Sequence, residues 1–452
     1  YHNLTGNAEL TEHPLSKYAR GIFFSPNYNK QFFDAINWAN NLGDYKTQHN
    51  LINPLVNNVL INSIKEPPQP LHLTVAGYAQ SGPDIFGTEQ NHGHGSPLAL
   101  SGDGLTFVAG SRWASANADV RAYAWNGTAW NQKGEDIHDH VADTGAGYWD
   151  STVGRIWDVA ISTNGLRIAL SSRYGDYVLV VEYDATSDKW ETLGNILRAA
   201  DFQITPSHGV YSVALSGDGA RLAVGVVATD VAGNAAQTAN QKGMHVFDYD
   251  AGTNQWGYKG NHIDGVPHLT HYGASNLWGN RIAMSADGAV VAMANSGDPG
   301  RVRTFEWGGT DWVARGGDDA LGAGYEIVGD GGAATTSRQF GENVFLSADG
   351  SRIAIGAHRS ITNGLGYAGF AQAFEWTGTA WEQLGATFEG QVANQGLGAN
   401  SALSADGMTL AIGSYNSQAA GGGFVDVYVW DAGPSEWQLV QTLRGDESLP
   451  AQ

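Results

Sequence analysis

Leu346 to Ala357 reads LSADGSRIAIGA, and Leu215 to Val226 reads LSGDGARLAVGV. A phrase written twice in one chain points to a repeated structural unit, because each unit leaves an apolar face that a copy of itself can cover. The Ser-x-Asp-Gly core recurs at Ser101, Ser216, Ser285, Ser347 and Ser404, with a degenerate STNG at Ser162. Successive serines are 61, 54, 69, 62 and 57 residues apart. That period is too long for one two-helix repeat and suits four short strands with their loops.

One repeat reads as two hairpins. In the copy from Phe340, Asn343 to Leu346 enters a strand, Ala348-Asp349-Gly350 turns, and Arg352 to Gly356 alternates inward and outward side chains. Asp supports such a turn by bonding the local backbone, and Gly accepts a positive φ. The second hairpin carries an aromatic pair across its turn: Trp125/Trp130, Tyr183/Trp190, Tyr249/Trp256, Trp307/Trp312, Trp376/Trp381 and Trp430/Trp437. Cross-strand aromatics at this spacing cover one another, and their expected role is packing between repeats. These phrases resemble the FG-GAP repeats of integrin-α-like β-propellers, in a divergent version lacking their calcium loops. Phe340-Gly341 and Gly356-Ala357 match the motif from which the repeat is named. The resemblance spans residues 78 to about 446 and implies a β-propeller. It would also imply calcium at DxDxDG loops, but each turn here supplies a single carboxylate, such as Asp349 or Asp406. Calcium wants six to eight oxygens, so that function is not carried over and no cofactor is expected.

The expected fold is all-β: a six-bladed β-propeller over residues 71–446, preceded by a short, partly helical N-terminal arm (1–70) and followed by a tail (447–452). In the arm, Phe32, Phe33, Ile36, Trp38 and Leu42 fit an amphipathic helix, Pro54 interrupts a second candidate, and IKEPPQP forms a stiff boundary. After it, YAQSGPDIFG (Tyr78 to Gly87) parallels the fourth strand WNQKGEDIHD (Trp130 to Asp139). This spare strand could close the last blade by displacing QLVQTLRG, or it could belong to a seventh blade.

Composition narrows function. The net charge is -21, from 45 acidic and 24 basic residues, and no basic patch offsets it, so nucleic acid is not an expected partner. Cysteine is absent, which removes disulfides, thiolate metal sites and thiol catalysis. No run of about 18 apolar residues is present for membrane insertion. The chain starts at Tyr1 without an initiator Met or a signal-like segment, as expected of a processed or incompletely represented sequence.

The turns within each repeat are short, while the connections between second and third strands, and between repeats, vary. All the variable connections should gather on one face, the expected recognition surface for a protein or glycan. Trp113, Tyr148, Trp149, Tyr272 and Trp278 lie in these connections and are the candidate ligand contacts. Eight of 14 histidines lie there too: His92, His94, His138, His140, His208, His262, His268 and His271. The His-x-His pairs at 92/94 and 138/140 have chelating spacing, but solvated or hydrogen-bonded histidines are the simpler reading and no metal site is assigned. The sequence contains no GxSxG, HExxH or P-loop. The expectation is a non-catalytic interaction, adhesion or structural protein displayed outside the cell or on a virion, with residues 1–70 docking into a larger assembly. The sequons at Asn3 and Asn126 are compatible with that location. The alternative is a polysaccharide hydrolase or lyase with its site at the channel mouth.

Overall fold

The computed structural model describes residues 78–85, 94–111, 120–137, 156–172, 177–202, 209–227, 243–265, 278–296, 300–316, 326–328, 339–415 and 423–444. The chain divides into two units, residues 1–76 and 77–452, and the two expected arm helices lie outside the described residues. The second unit is a six-bladed β-propeller, each blade an antiparallel meander of four main strands. From the centre outward, blade one is His94–Leu100, Thr106–Ser111, Val120–Trp125 and Trp130–Gln132. Blade two is Ile156–Ile161, Arg167–Ser172, Tyr177–Asp184 and Lys189–Thr192. Blade three is Val210–Leu215, Arg221–Val226, Gly243–Asp250 and Gln255–Tyr258. Blade four is Arg281–Met284, Val290–Asn295, Arg301–Trp307 and Trp312–Ala314. Blades five and six are Asn343–Leu346, Arg352–Ala357, Phe370–Trp376, Trp381–Gln383, and Leu397–Leu403, Thr409–Ser414, Phe424–Asp431, Glu436–Arg444.

The Ser-x-Asp-Gly phrase makes the first turn, five residues long in every blade. In blade five the Ser347 hydroxyl donates to Asp349 (2.6 Å), and the same carboxylate oxygen accepts the Ser351 amide (2.9 Å). The Ser347 oxygen in turn accepts the Arg352 amide (2.9 Å). Burial opposes ionisation of Asp349, but the Ser347 and Ser351 hydrogen bonds outweigh it and hold the carboxyl below its ordinary range. The turn thus uses its single carboxylate as the hydrogen-bond acceptor that organises the loop.

The outer hairpin always has a four-residue turn. Spacing of five or seven between the aromatics differs only by one additional rung, such as Asp184 opposite Lys189, between the pair and the turn. Every pair is directly opposite in register, with ring centroids 5.3–5.5 Å apart. The second ring also reaches the preceding blade. Trp190 donates its indole N–H to Lys133 O (2.8 Å), Trp256 to Leu193 O (2.8 Å), Trp312 to Lys259 O (2.8 Å) and Trp437 to Leu384 O (2.9 Å). Gly194 takes a φ of 78° beside the Trp256 indole, where an added Cβ would stand 2.7 Å from the ring. The packing expected of these aromatics is what the blades use.

Five apolar clusters each join two consecutive blades. A girdle of backbone hydrogen bonds follows the same five junctions, from Asp103 N to Thr163 O, then Thr163 N to Gly217 O, Gly217 N to Ala286 O, Ala286 N to Ala348 O, and Ala348 N to Ala405 O. Among the described residues there is no sixth link from Ala405 to blade one. The position three residues before the turn serine reports the same difference. Val159, Val213, Ile282 and Val344 are at most 8% exposed, whereas Leu98 is 61% exposed.

The segment expected to supply a spare strand forms no strand over residues 78–85, and it lies at this seam. The Gln441 side chain grips Tyr78, accepting its amide and donating to its carbonyl (2.9 Å). Trp130 donates to Ser81 O (3.0 Å), the role Lys133 O plays for Trp190. Glu436–Arg444 stays paired with Phe424–Asp431 along its length, so the spare segment does not displace QLVQTLRG.

Candidate functional site: the variable-connection face

The first strand of each blade starts at the face that carries the variable connections and runs toward its Ser-x-Asp-Gly turn. Four residues before the turn serine stand Pro97, Asp158, Ser212, Arg281, Asn343 and Asn400. Most of their polar groups join one blade to the next. Asp158 accepts from Val213 N (3.1 Å), and Ser212 donates to Gly279 O (2.9 Å). Arg281 donates to Glu342 O (3.0 Å), while Asn343 donates to Asn400 Oδ1 (2.8 Å) and accepts from Ser401 N (2.8 Å). Titratable and amide groups at the channel mouth are thus engaged in holding neighbouring blades together.

Beside this collar, Glu342 brings its carboxylate within 2.6 Å of His358 Nδ1 and 3.9 Å of Arg359 Nε. Glu342 and His358 are largely buried, whereas Arg359 is exposed. His358 also meets the Tyr415 ring edge to face at 5.5 Å. Elsewhere the collar is aromatic: Trp157 and Tyr211, from blades two and three, make a T-shaped contact at 5.7 Å.

Of the candidate contacts, Trp113, Tyr148, Trp149 and Tyr272 lie outside the described residues, as do His92, His138, His140, His208, His268 and His271. His94 begins the first blade. Trp278 is core: it is 3% exposed, clusters with Met244, Ile282 and Met293, and carries the Arg303 guanidinium 4.8 Å from its ring centre. Arg303 is itself held by Glu326 (2.7 Å), so this indole fills a blade junction and presents no surface to a ligand. His262 is likewise buried, its ring centroid 4.3 Å from that of His245. Desolvation pulls His245 down to about 3 and His262 to about 4, and the neighbouring His262 further disfavours charge on His245. Among the described residues no group of three or more His, Cys, Asp or Glu side chains could hold a metal ion. No helix among them is long and apolar enough to cross a membrane.

Sequence reasoning did not single out Glu342, His358, Tyr367 or Tyr415. The available signal was positional: Tyr415 directly follows the second strand, where the corresponding residues Val227 and Ser296 are buried, yet it is 53% exposed.

No protein-family model matches the chain, and no curated protein matches it. Solved structures do resemble it. A protein from Lactobacillus plantarum aligns with a TM-score of 0.50 at 11% identity, covering 77% of this chain and 85% of its own. The periplasmic gluconolactonase of Pseudomonas aeruginosa gives 0.48 at 12%, with 77% and 86% covered. The Cps50 (Swd1) β-propeller domain of Myceliophteria thermophila gives 0.46 at 15%, with 78% and 88% covered. What is shared is the propeller fold. At these identities the likeness extends no further.

Proposed function

We propose that this chain is a non-catalytic recognition module of the FG-GAP-like kind, which binds a protein or glycan surface through its variable-connection face. One observation carries the reading: the ring separates an invariant face from a variable one. The inner turns are all five residues and the outer turns all four, whereas connections between second and third strands run from four residues after Ser172 to sixteen after Val226. A rigid scaffold that varies only one set of loops is arranged for binding through them. The engagement of Asp158, Arg281, Asn343 and Asn400 in interblade bonds also supports a non-catalytic role. In this reading the protein is displayed outside the cell or on a virion, and residues 1–70 dock into the assembly that displays it.

The test replaces each variable connection in turn with the four-residue connection of blade two. At least one replacement should abolish binding of the fluorescent full chain to its target surface while leaving thermal stability unchanged. Exchange of outer turns, such as Asn126–Ala129 for Thr377–Ala380, should leave binding intact, and loss there would count against the reading. The Glu342–His358 pair favours the second reading, a polysaccharide hydrolase or lyase. Polysaccharide cleavage that disappears in Glu342→Gln would establish that alternative.

A further inference from the structure

Tyr415 and Tyr367 both meet Gly396, the first through its ring and the second through its backbone carbonyl. The Tyr415 ring lies against Gly396, where an added Cβ would stand 2.1 Å from a ring carbon. His358 holds the same ring by its edge, at an interplanar angle of 84°. With Gly396 against it and the His358 imidazole in contact with it, the Tyr415 residue is still 53% exposed. Gly396 also donates its amide to Tyr367 O (3.0 Å), and the neighbouring Gly366 O accepts from Asn394 N (2.8 Å). These bonds keep Tyr367 at a φ of 52°, a conformation that is strained for a bulky side chain. Tyr367 is nevertheless 51% exposed, so burial of its ring does little to offset the strain. A fixed, strained and exposed aromatic is better explained by what it contacts outside the chain than by packing within it.

The surroundings favour one class of contact. His358, which contacts the Tyr415 ring, pairs with Glu342, and Asn363, four residues before Tyr367, donates to Glu389 (2.8 Å), so polar groups accompany both tyrosines in the fold. Val392, four residues before Gly396, is 37% exposed. A protein hot spot needs an apolar, fully desolvated centre, which this polar setting does not provide. A pyranose ring suits it better, since its apolar C–H face can lie on an aromatic ring while its hydroxyls meet amides and carboxylates at the rim. The carboxylates here and the net charge of -21 disfavour an acidic sugar.

We propose that Tyr415 and Tyr367 form a stacking platform for a neutral glycan at the junction of blades five and six. This deepens the recognition reading given above and rests on it. The test titrates the full chain with neutral hexasaccharides of glucose, mannose, galactose and xylose, followed by calorimetry, with polygalacturonate as the acidic comparison. At least one neutral hexasaccharide should bind. Tyr415→Ala should weaken it at least tenfold with thermal stability retained, and Tyr415→Phe should keep most of the affinity because the ring face makes the contact. Tyr367→Gly removes both the ring and the backbone strain, so it should raise Tm while lowering affinity, an outcome that a merely structural tyrosine would not produce. Absence of hexasaccharide binding at millimolar concentration, binding indifferent to both tyrosines, or preference for polygalacturonate would overturn the platform. The loop-replacement experiment reads surface binding independently, so failure of the platform is distinguishable from failure of the recognition reading.

Discussion

Leu98 and Val213 occupy the same position in the repeat, three residues before the turn serine, but the structure gives them different work. Val213 is 4% exposed and packs in the cluster between blades two and three, whereas Leu98 is 61% exposed at the seam. Val213→Ala removes both buried γ-methyl groups, a loss of two carbons worth about 1.6 kcal/mol at about 0.8 kcal/mol per CH₂, and the residual cavity brings the cost to about 2 kcal/mol. Leu98→Ala removes a mostly hydrated side chain and should cost about 0.5 kcal/mol or less. Urea denaturation of the full chain, monitored by tryptophan fluorescence, should show a lower midpoint for Val213→Ala and little change for Leu98→Ala, with m unchanged in both. Val344→Ala, at the blade-five equivalent, should behave like Val213→Ala. If Leu98→Ala proves as damaging as Val213→Ala, Leu98 is covered in solution, and the contrast drawn between these two positions is wrong.

Three further outcomes follow from the same packing. Trp190 is fully buried and bonded to Lys133 O, so Trp190→Ala should cost about 3–5 kcal/mol, whereas Trp190→Phe should recover much of that loss, as read by urea midpoint. Burial lowers His245 to about 3 and His262 to about 4, so the unfolded chain binds more protons below pH about 6.5. Their contribution is fully present above that pH and is lost as pH falls toward the folded values, at up to about 1.4 kcal/mol per pH unit for each independent site. Stability measured from pH 7 to 5 should therefore fall, and His245→Phe should flatten the slope in this window. Because each turn supplies a single carboxylate, at Asp218, Asp287, Asp349 or Asp406, whose Oδ1 already accepts the serine hydroxyl, chelator should leave Tm unchanged, and a drop of several degrees would show that these turns bind metal.

The parts of the fold legible in sequence are those the repeat fixes locally. A serine, an aspartate and a glycine at set spacing specify a five-residue turn, and an aromatic on either side of a four-residue turn specifies a ring pair. Both interactions close within a dozen residues, so their pattern survives in each copy. Trp278 illustrates what was not legible. It lies in a variable connection, and its burial depends on Gly265, where an added Cβ would stand 2.3 Å from the Trp278 Cβ, and on Arg303, which belongs to another strand. Tyr415 is the converse: its exposure depends on the distant Gly396 and His358, and composition alone does not distinguish it from the other tyrosines.

This contrast bears on where function can reside in a repeated ring. Residues common to the blades have structural partners: the turn serine bonds its aspartate, the outer tryptophan bonds the preceding blade, and Arg221 joins Asp248 to Gly288 O of the next blade. Substitution at such positions acts on the ring before it can act on any ligand. Positions that depart from the repeat are freer of that constraint. Tyr415 stands where Val227 and Ser296 are buried, and Tyr367 retains a strained backbone without a buried ring. The repeat supplies a rigid disc, and the departures supply chemistry that the disc itself does not require. A ligand that touches this face should therefore be sensitive to residues whose removal leaves the fold unchanged, and that separation makes the two tyrosines informative places to perturb.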